Sequence, residues 1–447
     1  MKIAFIPIDN RPVCYTLPKI IAEIDSGIEF FIPERKYLGD LKKQADIIEL
    51  FNWLSNLPQL DAIVLSLDTL AYGGLIPSRR CSESFEEIKT RIETLKEILE
   101  EKKSKIYAFS SIMRISNNNI NEEEKEYWSE WGTKIFEYSY NVDKSGGKGG
   151  YSHDIPPDIL EDYIETRRRN FEINKIYLEW QKKGLFNTLI FSKDDCAEYG
   201  FNVEEARILT KMGGFTKTGA DEIPLSLLAK AIPNKVKICP IFLEPESKDL
   251  ISNYEDVSVE QSVLGQIELC GCETVDKENA DILLYVNNFK KHQGEIVMNI
   301  DTESFNRNFT APDRPYMIAD VRFANGADNN FVKELFKNKI KDENFYGYSA
   351  WNTTANTIGS LICGAKIKFS AQNYNEKAFK KLLITRFLDD WAYQANVRQM
   401  LNLPDKSEVS RKIKNFEKTV FNILKTEVPV NYKFPWNRLF EVEIELN

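Results

Sequence analysis

A chain of 447 residues, 43% hydrophobic and 28% charged, can bury a large core and reads as one big domain with additions or as two domains. Its formal charge of −9, with no basic block along the sequence, argues against nucleic-acid binding and suits a small or neutral substrate. No run of about 18 apolar residues suggests a membrane span.

The first residues, MKIAFIPIDN, enter a strand pattern directly, without the apolar core and small-residue cleavage site of a secretory signal, so a cytoplasmic protein is expected. Short runs rich in Ile, Val, Phe and Tyr then alternate with longer amphipathic stretches. Strands are expected over 2–9, 61–68, 105–114, 187–195, 214–222, 281–288, 315–322 and 345–352, with 28–34 and 235–242 as edge strands or parts of an inserted unit. A helix over 84–103 has apolar residues at steps of three and four and a charged outer face.

Between the third and fourth of the eight strands lies a polar stretch, 115–128, and then the glycine-rich run 143–158, expected as a mobile loop because Gly and Ser cannot pack a core. The run lacks the Lys-Ser/Thr ending of a phosphate-binding P-loop. The helix expected over 158–180 carries Arg167, Arg168 and Arg169, readable as a solvated face or as a substrate clamp. Residues 370–447 are helix-rich, and Asp389 and Asp390 sit mid-helix, where a surface position with local salt bridging is expected.

This βαβα rhythm predicts an α/β protein built on parallel strands. Nearly every strand finishes in polar or charged residues: Asp9, Asp68, Arg114, Asp194 with Asp195, Asp221 with Glu222, Asn287 with Asn288, Asp320 with Arg322, and Trp351 with Asn352. Polar ends spread over about eight strands favour a TIM-like (β/α)₈ barrel, whose site gathers at the C-terminal face, over an open sheet with its site at one switch point. The expected organisation is a barrel domain over 1–369, with a small α/β excursion at about 235–288, and a helical C-terminal region over 370–447. Asp and Asn also begin loops and cap helices, which accounts for part of the pattern without any site.

Seven scattered cysteines do not form a disulfide framework, and two histidines, His153 and His292, are little material for zinc. No metal ligands and no cofactor are assigned, although a magnesium site made of carboxylates remains open. Among the strand-end loops, PIDNRPVCY offers Asp9 and Arg11, and Arg11 could hold a carboxylate or orient Asp9. LDTLAYGGLIPSRR combines Asp68, Tyr72, two glycines and Arg79; the glycines permit close backbone approach to a ligand or a positive-φ turn. Asp221 and Glu222 stand at a strand-to-helix junction. YSAWNTTANT places Trp351 beside Asn352, an aromatic face next to an amide, which is how sugar rings are commonly held.

The segments IPIDNRP, YGGLIPSR, SSIMR, DDCAEYG, GADE and AWNTTANT together resemble a bacterial family catalogued as a domain of unknown function (4127), from Met1 to about Ile358. A weaker similarity is to barrel β-N-acetylhexosaminidases of the O-GlcNAcase and hyaluronidase type, in which adjacent aspartates follow the fourth strand and a Trp-Asn segment lies on a later one. Their N-terminal glycine-aromatic motif is not visible here. The resemblance implies substrate-assisted cleavage: Asp194 would stabilise the acetamido proton and Asp195 would protonate the leaving oxygen, with Asp9, Arg11, Asp68, Tyr72, Arg79, Arg114, Asp221, Glu222, Trp351 and Asn352 as binding residues. The expected function is thus a glycoside-hydrolase-like enzyme acting on a small glycan or oligosaccharide. Its rivals are a magnesium-dependent enzyme of phosphoryl or carboxyl chemistry, with Asp9, Asp68 and Asp195 on the metal, and a carbohydrate-binding protein without turnover.

Overall fold

The computed structural model describes residues 1–147, 154–194, 196–337, 340 and 343–446. The chain divides into two compact units: Met1–Asn10 with Glu29–Pro224, and Arg11–Ile28 with Leu225–Asn447.

The first unit is built on a six-stranded sheet. Its strands are β1 (Lys2–Ile6), β2 (Glu29–Phe31), β3 (Ala62–Ser66), β4 (Lys105–Ile112), β5 (Thr188–Lys193) and β6 (Thr216–Thr218). They run parallel throughout in the order β2-β1-β3-β4-β5-β6. Parallel strands with covered faces are apolar on both sides, and all five residues of β3, AIVLS, are buried. The helix expected over 84–103 spans Phe85–Lys102; a capping box formed by Ser84 and Glu87 starts it, and Ile88, Ile92, Leu95 and Leu99 form its buried stripe. Pro157 opens the helix Pro157–Lys182, where a missing N–H costs nothing.

The second unit contains β7 (Lys237–Phe242), β8 (Glu273–Thr274), β9 (Ile282–Asn287), β10 (Gly294–Glu295), β11 (Tyr316–Asp320), β12 (Phe323–Ala324) and β13 (Phe345–Ser349). Five of these form a parallel sheet in the order β13-β11-β9-β7-β8, and β10 pairs with β12. Beyond residue 370 come the helix Glu376–Arg386, an eleven-residue π-helical continuation Phe387–Val397, the helix Lys406–Leu424 and an antiparallel hairpin of β14 (Val430–Lys433) and β15 (Glu443–Leu446).

The mixed α/β class with parallel sheets is as expected. Among the described residues the ladders form two open sheets and do not bear out a single eight-stranded barrel: β2 and β6 each pair on one side only, as do β8 and β13. A barrel requires every crossover to step in the same direction. Here the chain leaves β1 to one side for β2 and returns to the other side of β1 for β3, which opens the sheet and creates a switch point. The second sheet repeats that winding with β7, β8, β9, β11 and β13 in the places of β1, β2, β3, β4 and β5. The segment 28–34 is an edge strand, whereas 235–242 supplies β7, an interior strand. Of the glycine-rich run 143–158, residues 148–153, including His153, lie outside the described residues.

A candidate acid/base site

In an open parallel sheet the loops part at the switch point, leaving a crevice at the carboxyl ends of the strands. In the first unit that point lies between β1 and β3, and Asp9 and Asp68 follow those two strands. Asp9 follows β1 and is buried. Asp68 follows β3 in the first turn of the short helix Leu67–Tyr72, and Thr69 beside it ties this turn to the β1 loop through its hydroxyl, which donates to the Pro7 and Ile8 carbonyls at 2.7 and 3.0 Å.

Asp68 is 1% exposed, and its Oδ2 accepts from the backbone N–H of Ser111 on β4 at 2.8 Å. Burial pushes the carboxyl up to about 7, against the opposing pull of the Ser111 bonds and the charge of Arg79. At neutral pH this group exchanges a proton readily.

Arg79, on the helix Leu75–Arg80, is also buried. Its Nη1 lies 3.2 Å from Glu124 and its Nη2 3.5 Å from Glu123, yet no nitrogen of its guanidinium makes a hydrogen bond among the described residues. Arg114, two residues beyond β4, binds the same two carboxylates: Nη2 to Glu123 at 2.8 Å and Nε to Glu124 at 3.2 Å. Its Nη1 stands 3.5 Å from Asp194, the first residue after β5. Two cations and three carboxylates thus form one chain across adjacent strand ends, with Asp68 close enough to feel Arg79. Asp195 lies outside the described residues. Glu123 and Glu124 were not singled out from the sequence; their only signal is the acidic run at 122–124, which reads as an ordinary solvated loop.

The other first-unit residues frame this chain. Tyr72 is buried, with the Arg169 guanidinium 5.5 Å from its ring centre. Gly73 has φ 88° and ends the Leu67–Tyr72 helix, and Gly74 has φ 138°, so these glycines serve the positive-φ turn. Asp221 and the buried Glu222 lie between β6 and the helix Ile223–Ala231. Of the three arginines expected as a solvated face or clamp, only Arg168 is exposed. Arg167 is buried against Glu205 at 2.7 Å, and Arg169 donates to the carbonyls of Ser78, Cys81 and Glu83. Both hold backbone and helix together. Two residues apart, they flank the buried stripe of Tyr163, Thr166, Asn170 and Ile173 from opposite sides, which a reading of the tripeptide as a charge run conceals.

Arg11, Trp351 and Asn352 belong to the second unit. Arg11 holds the Glu441 carboxylate at 3.6 Å and stacks on Trp436. Trp351 is 2% exposed, packs against Phe440, and its indole nitrogen has no hydrogen-bond partner among the described residues. Asn352 has φ 73°, and its side chain accepts from the Thr353 N–H at 2.8 Å, a turn-stabilising role. Asp389 and Asp390 are not on the surface. Asp390 is fully buried, 3.4 Å from Arg386, and accepts from the Ala350 N–H at 2.6 Å; Asp389 lines a small cavity of about 30 Å³ with Trp351 and Arg386. Burial, then the charge of Asp390, pushes Asp389 up to about 7. The local salt bridge is present as expected. What differs is the burial: Asp390 lies seven residues after Leu383 and three after Phe387, so helical spacing sets it on the buried face.

A second buried cluster ends β7, β9 and β11. Arg322 binds Glu244 at 2.8 Å and Asn287 at 3.1 Å, with Asp328 at 3.5 Å, while Asp320 accepts from Asn287 and Tyr348. Every nitrogen of this arginine is engaged, the third by the Glu303 carbonyl. Its geometry is that of a strut between strands.

Among the described residues no group of three or more His, Cys, Asp or Glu side chains is arranged to hold a metal ion. No helix among them is long and apolar enough to cross a membrane. A family model described as "Protein of unknown function (DUF4127)" matches residues 3–445. No curated protein matches the chain.

Proposed function

We propose, for a chain that belongs to the DUF4127 family, that the strand-end cluster of the first unit is a hydrolytic acid/base site for a small glycan. The observation that carries the reading is a pair of carboxylates in different settings: Asp68, sealed from water with its carboxyl pushed up to about 7 by burial, and Asp194, 3.5 Å from the Arg114 cation. Glycoside cleavage needs one carboxyl that can give up a proton at neutral pH and a second that stays charged to meet the developing oxocarbenium ion. Asp68 takes the first role. Asp194 takes the second, held there by Arg114, and the buried Arg79 offers free N–H donors to hydroxyl or anionic groups of the substrate. Asp195, the acid implied by the hexosaminidase resemblance, competes with Asp68 for the proton-donor role.

The test is a panel of chromogenic glycosides, N-acetylated ones included, with wild type, Asp68→Asn, Asp194→Asn and Asp195→Asn. Wild type is expected to release the chromophore from at least one glycoside, and Asp68→Asn and Asp194→Asn to lose about 100-fold or more in kcat. No release by wild type from any glycoside, or full activity in both variants, overturns the reading. Turnover that disappears with chelator and returns with magnesium transfers the site to metal-assisted phosphoryl or carboxyl chemistry. Sugar binding without turnover makes it a carbohydrate-binding protein.

A further inference from the structure

Beside the acid/base cluster, within the first unit, the loop after β2 and the helix Leu75–Arg80 enclose a concavity of about 890 Å³. Its wall carries four cations, Lys36, Lys42, Lys43 and Arg80, against one carboxylate, Asp46. That carboxylate is already engaged, since Asp46 caps the helix Ile47–Asn56 by accepting from the Glu49 N–H at 3.1 Å. Lys36 shares its charge with the exposed Glu34 at 2.7 Å. Among the described residues Arg80 meets two carbonyls, of Leu41 and Glu122, at 3.3 and 3.4 Å, and no carboxylate. Lys42 and Lys43 have no carboxylate partner among the described residues, and the loop that presents them is fixed: the backbone N–H groups of both donate to Asp40 Oδ1, at 2.9 and 2.8 Å.

In a chain of net charge −9, four cations around one hollow, of which Lys36 alone is paired with a carboxylate among the described residues, run against the general field of the protein. We propose that the concavity binds a small polyanion of the phosphate-ester class, and that the glycan cleaved at the neighbouring cluster is a phosphorylated one. The identity of the glycan rests on the function proposed above; the anion site itself does not. Two arguments favour this ligand. The hollow has the volume of a small-molecule site, typically about 300–1,000 Å³. Lysines dispersed around a wall act as point charges suited to a multiply charged phosphate, where recognition of a single carboxylate calls for a planar arginine fork. The link to the cluster is one peptide bond: Arg79 enters the buried acid chain, and Arg80, next to it on the same helix, stands on the wall of the hollow.

The experiment is titration calorimetry of the full chain with sodium pyrophosphate, glucose 6-phosphate, glucuronate and glucose, at low and high salt. It compares wild type with the double variant Lys42→Glu, Lys43→Glu. Both lysines are exposed, so the variant is expected to keep its fold, checked by circular dichroism. Pyrophosphate and glucose 6-phosphate should bind wild type, weaken with salt, and lose about tenfold or more in affinity in the variant. No heat with either phosphate, undiminished binding in the variant, or glucuronate binding as tightly as glucose 6-phosphate overturns the inference. Because calorimetry reads binding alone, a failure here with glycoside release intact removes only the anion site. Phosphate binding with no glycoside cleaved removes only the hydrolytic reading.

Discussion

Arg114 Nη1 stands 3.5 Å from Asp194 Oδ2 while the other nitrogens of the same guanidinium hold Glu123 and Glu124. One side chain from the end of β4 therefore fixes a carboxylate from the end of β5. Replacing Arg114 by Met keeps much of the stem but takes one cationic partner from each of the three carboxylates. Glycoside release should fall by about tenfold or more, since the charge that orients Asp194 is lost. Stability should drop by about 1–3 kcal/mol, because Glu123 and Asp194 are partly open to water whereas Glu124 is buried and keeps the Arg79 cation. Arg114→Lys should recover little of the activity, since an ammonium cannot bridge three partners in a plane. Kinetics on the active glycoside and urea unfolding check both halves.

Asp68 predicts a pH dependence of stability with a definite sign. Its folded value is raised from 3.8 to about 7, so between those values the folded protein binds a proton that the unfolded chain has already lost. Stability contributed in this way is fully present below the ordinary carboxylate range and disappears as pH rises through 7. The ceiling is about 4 kcal/mol for a shift of this size, and relaxation of the buried site reduces it. Asp68→Asn should flatten this part of the profile. Glu205, Asp320 and Asp389 are also raised to about 7, so the contribution of Asp68 is read as the difference between wild type and variant in urea unfolding at pH 5 and pH 8. Parallel profiles for the two proteins would show that Asp68 stays ionised.

Gly73 closes the Leu67–Tyr72 helix in a left-handed conformation, and a Cβ there would meet Gln44 Cβ at 2.7 Å and the Ala45 backbone nitrogen at 2.9 Å. Gly73→Ala should cost about 2 kcal/mol or more from backbone strain and overlap combined. It should also disturb Asp68, because the Gly73 and Gly74 N–H groups donate to the Thr69 and Asp68 carbonyls. A variant with unchanged melting temperature and unchanged activity would contradict both expectations.

Arg322 stands between Glu244 and Asp328, with no exposure of its own side chain. Its removal takes the cation from the buried Asp328 and leaves Glu244 with Arg307, at 3.1 Å. Arg322→Ala should destabilise the second unit by about 3–5 kcal/mol, while Arg322→Ala with Glu244→Gln should recover part of the loss. A double-variant unfolding series measures this directly.

Much of the architecture was legible because it depends on local pattern. Each of the ten expected strand segments contains a strand, and the capped helix after Ser84 spans Phe85–Lys102. Global winding was not, since the reversal from β2 to β3 across β1 leaves no periodic trace in the residues. The site was half legible. Asp68, Arg79, Arg114 and Asp194 could be picked out as polar ends of apolar runs, but Glu123 and Glu124 reach them from a loop with an unremarkable charge pattern. Asp390 differs from expectation for another reason: it recurs at helical spacing with the buried Leu383 and Phe387, a placement that reading the aspartate pair as surface charge conceals.

The shared strand order has a corollary for how such a chain can change. Arg114 lies two residues past β4, and Arg322 lies two residues past β11, which occupies the same rank in its own sheet. One topological address therefore holds the same amino acid twice, once with its side chain 17% exposed and once sealed at 0%. A doubled plan of this sort relaxes the demand on either copy. One can harden into scaffold while its counterpart stays accessible to chemistry.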